Sequence, residues 1–132
     1  MIESVSQFLS LVEEDTDEAR ACLRNDEASE NLWSEILDTH PDLVRVITLN
    51  KVLPDSTLRL LARHPDESVR IDIANKRKIP FDVFELLAGD ENEAVRARLA
   101  WNKKTPLKIL EKLAEDKEEV VFEPARDRLA NA

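Results

Sequence analysis

The residues of this chain best suited to chemistry are a set of cations near predicted helix ends, together with one tryptophan. They are Lys51, Lys76, Arg77, Lys78, Trp101, Lys103 and Lys104. Cations beside an aromatic ring can hold an acidic partner through charge and through apolar contact. Cations are also favoured at helix C-termini by the helix dipole, so a purely structural role is the alternative for this set.

A second set is a column of arginines that recurs at intervals of 25 or 26 residues and closes on a phenylalanine: Arg20, Arg45, Arg70, Arg96 and Phe122. An acidic residue precedes each arginine by three positions: Asp17, Asp42, Glu67 and Glu93. Residues three apart on a helix are neighbours and can pair. Asp90 also precedes Arg96 by six positions, as Glu14 precedes Arg20. We expect a structural ladder, and a grip on a ligand is the alternative.

Other reactive residue types are sparse. His40 and His64 lie in predicted turns, and neither has a cysteine or histidine companion at the spacing of a metal site. The single cysteine, Cys22, sits among small and apolar residues and is expected to be a buried thiol rather than a reactive one. The sequence therefore predicts no metal, no cofactor and no catalytic residue.

The arginine spacing belongs to a longer repeat that predicts how these residues are positioned. Five repeats are expected, at about 4–28, 29–53, 54–79, 80–105 and 106–132. Each opens on a residue type that favours helix starts: Ser4, Ser29, Pro54, Pro80 and Pro106. Apolar residues follow four, seven and eight positions later in every repeat, which is the spacing of one helix face. We call this element helix A.

A second element, helix B, is predicted to begin ten to thirteen residues after each start, where an acidic column suits the helix dipole. Asp90 and Glu93 form a D-x-x-E that resembles a capping box. Near the end of helix B stand four asparagines: Asn25, Asn50, Asn75 and Asn102. We expect them to close the helix in the left-handed conformation, and the alternative is a ladder that bonds successive loops. Pro124 predicts that the last helix starts late or kinks.

The repeat also predicts where the cations and the two tryptophans lie. Lys51, Arg77 and Lys103 each stand three residues before the proline that opens the next repeat, so stacked repeats would align them on one edge. Trp33 belongs to an apolar column of helix A and is expected in the core. Trp101 breaks a polar column next to the cations, which leaves two interpretations open, an exposed contact residue or a core residue.

Composition narrows the class of protein. The chain has 132 residues and a net charge of −9, which is one domain's worth of sequence. Residues 1–42 carry two basic and twelve acidic side chains, whereas residues 43–110 carry thirteen and nine. The acidic balance argues against a general binder of nucleic acid or of anionic membranes. Neither a signal peptide nor a membrane span is predicted, and we expect a cytoplasmic location.

The segment 80–106, PFDVFELLAGDENEAVRARLAWNKKTP, resembles the leucine-rich repeat variant family and, more loosely, HEAT repeats. The matching residues are Asp90, Val95, Arg96, Ala100, Asn102 and Pro106. The resemblance is good over residues 54–116 and fades outward. It implies an all-α single domain, a right-handed α-solenoid of about five two-helix repeats, and a role in binding other macromolecules.

The expected function is therefore a non-enzymatic module for protein–protein interaction, which binds an acidic or mixed-charge partner along the inter-repeat surface. A nucleic-acid-binding or DNA-glycosylase-like HEAT-repeat protein is the alternative. Glycosylases of that kind use an aspartate and aromatic residues in a cleft, and Asp72 with Trp101 is the nearest counterpart in this sequence. A homodimer through the C-terminal repeat is a further alternative.

Overall fold

The computed structural model describes all residues, 1–132, and it contains helices but no strands. The ten α-helices are α1 (Val5–Glu14), α2 (Asp17–Asn25), α3 (Glu30–Thr39), α4 (Val44–Thr48), α5 (Asp55–Leu61), α6 (Glu67–Ala74), α7 (Phe81–Ala88), α8 (Glu93–Trp101), α9 (Leu107–Leu113) and α10 (Glu119–Ala130). The all-α prediction is confirmed. The residues form two compact units, Met1–Leu60 and Leu61–Ala132, which are described in turn.

Helix starts in the N-terminal unit fall where the serines predicted them. The Ser4 hydroxyl accepts a hydrogen bond from the Gln7 N–H at 3.0 Å, and the Ser29 hydroxyl accepts one from the Leu32 N–H at 3.1 Å. Each bond satisfies one of the N–H groups that the first turn of a helix leaves free. The predicted starts of α1 and α3 are therefore confirmed, with the serine as the N-cap in both.

The apolar columns of helix A contribute the aromatic part of the core of this unit. Phe8 and Trp33 stand at the same repeat position and meet edge to face, with ring centroids 6.0 Å apart and planes at 88°. Trp33 and Ile36 are fully buried, so the prediction that Trp33 is a core residue is confirmed. Helix B of the second repeat is short because Pro41 opens a 3₁₀ turn, Pro41–Leu43, and α4 has only five residues.

Helix starts in the C-terminal unit differ slightly from the prediction. Pro80 and Pro106 are N-cap residues rather than first helical residues, because their ψ angles of 148° and 153° are extended. Their carbonyls accept the first helical bonds, from the N–H groups of Phe84 and Leu110 at 3.1 and 3.0 Å. Helices α7 and α9 therefore begin one residue after the proline in each case.

The capping box predicted for Asp90 and Glu93 does not form. The N-cap of α8 is Asn92, whose side-chain oxygen accepts from the Ala94 N–H at 2.8 Å. Asp90 lies two residues earlier and accepts from the Asn92 N–H at 2.9 Å. Glu93 is the first residue of α8, where its charge suits the helix dipole.

The last helix begins in step with the others, so the predicted late start is wrong. Helix α10 starts at Glu119, spans 12 residues and contains Pro124, which is buried. Proline has no N–H, so the Val120 carbonyl loses its i+4 bond. Phe122, at the end of the arginine column, is half-buried beneath the Arg126 guanidinium, which lies 4.3 Å from the ring centroid.

Packing in the C-terminal unit follows the helix order. Helix α8 lies between α6 and α10, and α7 packs against α9. These helices contribute fully buried apolar residues to the core of the unit: Ile73, Leu87, Val95, Leu99 and Val121. Because consecutive helices are joined by short connections, the loops that follow α6 and α8 lie at the opposite end of the unit from the turns that follow α7 and α9.

Candidate functional site

The arginine column is built into the scaffold of the C-terminal unit. Arg70 donates from Nε to Asp90 Oδ2 at 2.8 Å and from Nη2 to Asp90 Oδ1 at 3.2 Å. Its Nη1 donates to the carbonyls of His64 and Pro65 at 2.7 and 3.1 Å. The side chains of Arg70 and Asp90 are only 9% and 8% exposed. The hydrogen bond to Asp90 raises the pKa of Arg70 despite this burial.

The same arrangement recurs one repeat later. Arg96 donates from Nε to Asp116 Oδ2 at 2.8 Å, and its Nη1 donates to the Asp90 carbonyl at 2.6 Å. Burial alone would raise the pKa of Asp116, but the Glu118 N–H and Arg96 outweigh it and leave the pKa below its ordinary value. Each arginine thus takes a carboxylate 20 residues later in the chain, and Asp90 links one step to the next. We call these four residues the arginine ladder: Arg70, Asp90, Arg96 and Asp116.

Arginines of the N-terminal unit are more exposed. Arg20 donates to Asp15 Oδ1 at 2.5 Å and to Asp17 Oδ1 at 2.9 Å, and its side chain is 45% exposed. Asp17 is the i, i+3 partner that the sequence suggested, whereas the second carboxylate belongs to Asp15 rather than Glu14. Solvent screens such a pair, so its contribution to stability is small. Arg45 lies on α4 and is exposed.

The asparagines do not adopt the left-handed conformation that the sequence suggested. Asn75 and Asn102 have φ angles of −86° and −68°, and the only non-glycine residue with a positive φ is Asp15. Asn25 is the last residue of α2, and both Asn25 and Asn75 are exposed. Helix α2 passes into extended backbone at Asp26, Asn75 is right-handed and Asn102 is extended, so none of these helix ends uses asparagine's tolerance of the left-handed region.

Two of the asparagines instead bond the loops of successive repeats. Asn50 is fully buried and donates from Nδ2 to the carbonyls of Leu23 and Asp26, both at 2.8 Å. Its Oδ1 accepts from the Val52 N–H at 2.9 Å. These bonds satisfy carbonyls at the end of α2, where a helix has no partners of its own.

Asn102 makes the equivalent bonds in the C-terminal unit. Its Nδ2 donates to the carbonyls of Ala74 and Lys76 at 2.7 and 2.8 Å, and its Oδ1 accepts from the Lys104 N–H at 2.9 Å. The loop after α6 is therefore fixed against the loop after α8. The asparagines that bond loops in this way, Asn50 and Asn102, are called the asparagine ladder.

Sequence reasoning missed one member of this arrangement. Arg128 stands 26 residues after Asn102 and donates to the carbonyls of Ala100 and Asn102 from Nη1 and of Lys103 from Nη2. It thus repeats, one step later, the contacts that Asn102 makes with its own preceding repeat. The repeat register could have identified this position. It was missed because the equivalent residue is an arginine rather than an asparagine.

The bonds of Asn102 bring exposed cations of two loops together. Arg77 and Lys78 follow α6, Lys103 and Lys104 follow α8, and all four are exposed. Trp101 is 66% exposed, which settles the two interpretations of this residue in favour of the surface. We call these residues of the C-terminal unit the loop edge: Arg77, Lys78, Trp101, Lys103 and Lys104. Lys51 is also exposed, and it belongs to the N-terminal unit.

Lys76 differs from the other predicted cations because it is half-buried. Burial lowers its pKa to about 8, and the nearby charge of Asp72 only partly opposes that change. A substantial fraction of the Lys76 side chains is therefore neutral slightly above physiological pH. For this reason Lys76 is not counted in the loop edge.

The lowered pKa of Lys76 predicts a pH-dependent stability. Between pH 8 and 10.5 the unfolded chain holds this proton more tightly than the folded chain, so the free energy of unfolding rises with pH in that window. We expect a rise of about 1 to 2 kcal/mol after allowance for solvent screening. In Lys76→Met this part of the rise disappears, and the variant is more stable than wild type below pH 8. Urea unfolding at a series of pH values measures both curves, and identical slopes would contradict the assignment.

No group of three or more His, Cys, Asp or Glu side chains is arranged to hold a metal ion. Cys22 is half-buried rather than fully buried. None of the helices combines the length and the apolar character that a bilayer span requires.

Fold and site together define an all-helical chain whose exposed cations and tryptophan are held by bonded loops. Comparison with known proteins adds no further identification: no family model, no curated protein and no solved structure matches the chain. The resemblance to the leucine-rich repeat variant and to HEAT repeats therefore rests on the sequence motifs.

Proposed function

We propose that this protein is a non-enzymatic interaction module that binds an acidic or mixed-charge protein partner through the loop edge. In this proposal the helix pairs stack as a right-handed α-solenoid of about five HEAT-like repeats. The observation that carries the proposal is Trp101, which is 66% exposed and shortly precedes the exposed Lys103 and Lys104 in the chain. Asn102 bonds this loop to the one that carries the exposed Arg77 and Lys78. Tryptophan and arginine are the residue types most enriched among the contacts that dominate binding energy.

Rigid loops support the proposal. Asn102 and Arg128 fix the backbone of both loops. Asn102 donates to the Lys76 carbonyl, and Arg128 donates to the Lys103 carbonyl. A partner that binds here does not have to order a flexible segment, and the entropic cost of association is correspondingly lower. The four cations would speed the encounter with an acidic partner and make the affinity sensitive to salt.

The arginine ladder, by contrast, has little capacity left for a ligand. Arg70 donates to the Asp90 carboxylate and to two carbonyls, and Arg96 donates to the Asp116 carboxylate and to a third carbonyl. Both side chains are almost fully buried. We therefore assign the ladder to the scaffold and the loop edge to binding.

Affinity capture from a native lysate tests the proposal. The wild-type chain is compared with an edge variant that carries Arg77→Glu, Trp101→Ala and Lys103→Glu. The control carries Arg63→Glu, Lys112→Glu and Val120→Ala, which changes the charge equally at other exposed positions. We expect a protein partner on wild type and control at physiological salt and a loss of about tenfold or more on the edge variant, as for removal of hot-spot residues.

Two results would overturn this function. A partner retained equally by the edge variant would move the binding surface elsewhere. A chain recovered bare, which instead binds DNA tightly at low salt in a filter assay, would favour the nucleic-acid alternative. Thermal melting of the three proteins checks that each is folded before capture.

A further inference from the structure

Two exposed apolar residues lie next to the loop edge at equivalent repeat positions. Phe81 is the first residue of α7 and is 46% exposed, and Leu107 is the first residue of α9 and is 55% exposed. They stand 26 residues apart, and α7 packs against α9. Large apolar side chains exposed in register, beside cations, mark an interaction site more strongly than isolated ones do.

The surrounding sequence repeats with them. Residues 77–81 read RKIPF and residues 103–107 read KKTPL, so two cations precede each exposed apolar residue by the same spacing. The third position of the motif is less exposed: Ile79 is half-buried, and Thr105 is buried and donates its hydroxyl to the Leu99 carbonyl at 2.7 Å. The outward positions therefore form a row of cations and a row of apolar residues, both with the period of the repeat.

We propose that the loop edge, with Phe81 and Leu107, binds an extended acidic segment of the partner in which an apolar residue recurs at every third position. This inference rests on the proposed function and gives the chemistry of the partner. Packed helices lie about 8 to 10 Å apart. A segment in the polyproline II conformation advances about 3.1 Å per residue with three residues per turn. Side chains three residues apart therefore lie on the same side of the segment and span one repeat, whereas two residues are too short and four too long.

Charge complementarity selects the remaining positions of the segment. Between successive apolar anchors the segment faces Arg77, Lys78, Lys103 and Lys104, which are exposed and suit aspartate or glutamate. An anionic membrane would also offer negative charge to the cations and an apolar interior to Phe81 and Leu107. It fits less well because Asp82 is exposed directly after Phe81 and the chain carries a net charge of −9.

The test uses synthetic peptides of about thirteen residues with one composition, leucine at about a third of the positions and acidic residues at the others. In one peptide leucine recurs at every third position, and in two controls it recurs at every second or every fourth. Binding to the full chain is measured by fluorescence anisotropy of labelled peptide. We expect the three-residue spacing to bind about tenfold tighter than either control.

Matched variants locate the effect. Phe81→Ala and Leu107→Ala should each remove most of the tenfold preference, whereas Val120→Ala, at an exposed apolar position of α10, should leave it intact. If one of these two alanine variants melts at a lower temperature than wild type, the other alone tests whether the preference depends on the exposed apolar residues.

The outcomes separate this inference from the proposed function. Equal binding of all three peptides, abolished by Trp101→Ala, would overturn the spacing and leave the loop edge as the partner surface. Failure of every peptide to bind would also overturn it, and lysate capture would then judge the proposed function independently. The third outcome is binding to vesicles with anionic lipid, with a blue shift of Trp101 fluorescence and no binding of any peptide. It would overturn the peptide proposal and indicate that the loop edge binds a membrane surface.

Discussion

Replacing Asp90 by alanine is expected to lower the free energy of unfolding by about 3 kcal/mol, the lower end of the cost of breaking a buried ion pair. The substitution leaves the Arg70 guanidinium buried without its carboxylate partner and removes the acceptor of the Asn92 N–H. Glu91, whose carboxylate lies 4.0 Å from Arg70 Nη2, offsets part of the loss. Urea unfolding followed by circular dichroism measures the change.

An exposed ion pair supplies the matched control for Asp90. Asp17 accepts from Arg20 at 2.9 Å, but the Asp17 side chain is 95% exposed, and we expect Asp17→Ala to leave the unfolding midpoint nearly unchanged. A joint replacement, Arg70→Met with Asp90→Leu, should recover most of the lost stability because it removes both buried charges. Equal effects of Asp90→Ala and Asp17→Ala would contradict a buried ladder.

Asn50→Ala is expected to destabilise the protein by about 2 to 4 kcal/mol, since buried polar groups left without partners are costly. The change removes both donors to the carbonyls of Leu23 and Asp26 and the acceptor of the Val52 N–H, all in a fully buried position. Asn50→Asp should be at least as harmful, because a carboxylate has no N–H to donate to those carbonyls.

Asn25→Ala is the control for the asparagine ladder. Asn25 occupies the same column one repeat earlier but is exposed at the end of α2, so we expect a change within about 0.5 kcal/mol. Thermal melts of the three variants rank them directly. A tolerant Asn50→Ala would show that the loops are held together by other contacts.

Much of the fold could be predicted from the sequence because its determinants are local. Ser4 and Ser29 cap helices through bonds to residues three positions later, and an N-cap of this kind is legible in the sequence. The apolar column that contains Phe8 and Trp33 follows from helix geometry alone. The period of 25 or 26 residues then places the start of every helix A to within one residue.

The partners of the ladder residues could not be predicted in the same way, because they depend on contacts between repeats. A column of arginines does not say whether the carboxylate comes from the same helix or from the next repeat, and the structure pairs Arg70 with Asp90, 20 residues on. The asparagines likewise predicted a local role, the closing of helix B. The structure shows that Asn102 instead donates to backbone carbonyls 26 and 28 residues away.

The exposure of Trp101 lay beyond sequence reasoning for a related reason. It ends a helix in a repeat of 26 residues, where one added residue rotates the helix end by about 100° and turns a core position outward or a surface position inward. The sequence already favoured a structural role for the arginines, whereas the exposure of Trp101 emerged only with the structure. Arg70 and Arg96 are committed to internal bonds, and Trp101 and its neighbouring cations face solvent.

Hydrogen exchange of the chain, alone and with the partner recovered by capture, tests the central claim most directly because it shows where the partner lies. We predict slower exchange of backbone amides at residues 76–81 and 101–107, which carry the loop edge. The turns at residues 89–92 and 115–118, at the other end of the helices, should exchange as in the free chain. Protection confined to those turns, or to the acidic residues 1–42, would contradict the assignment of binding to the loop edge.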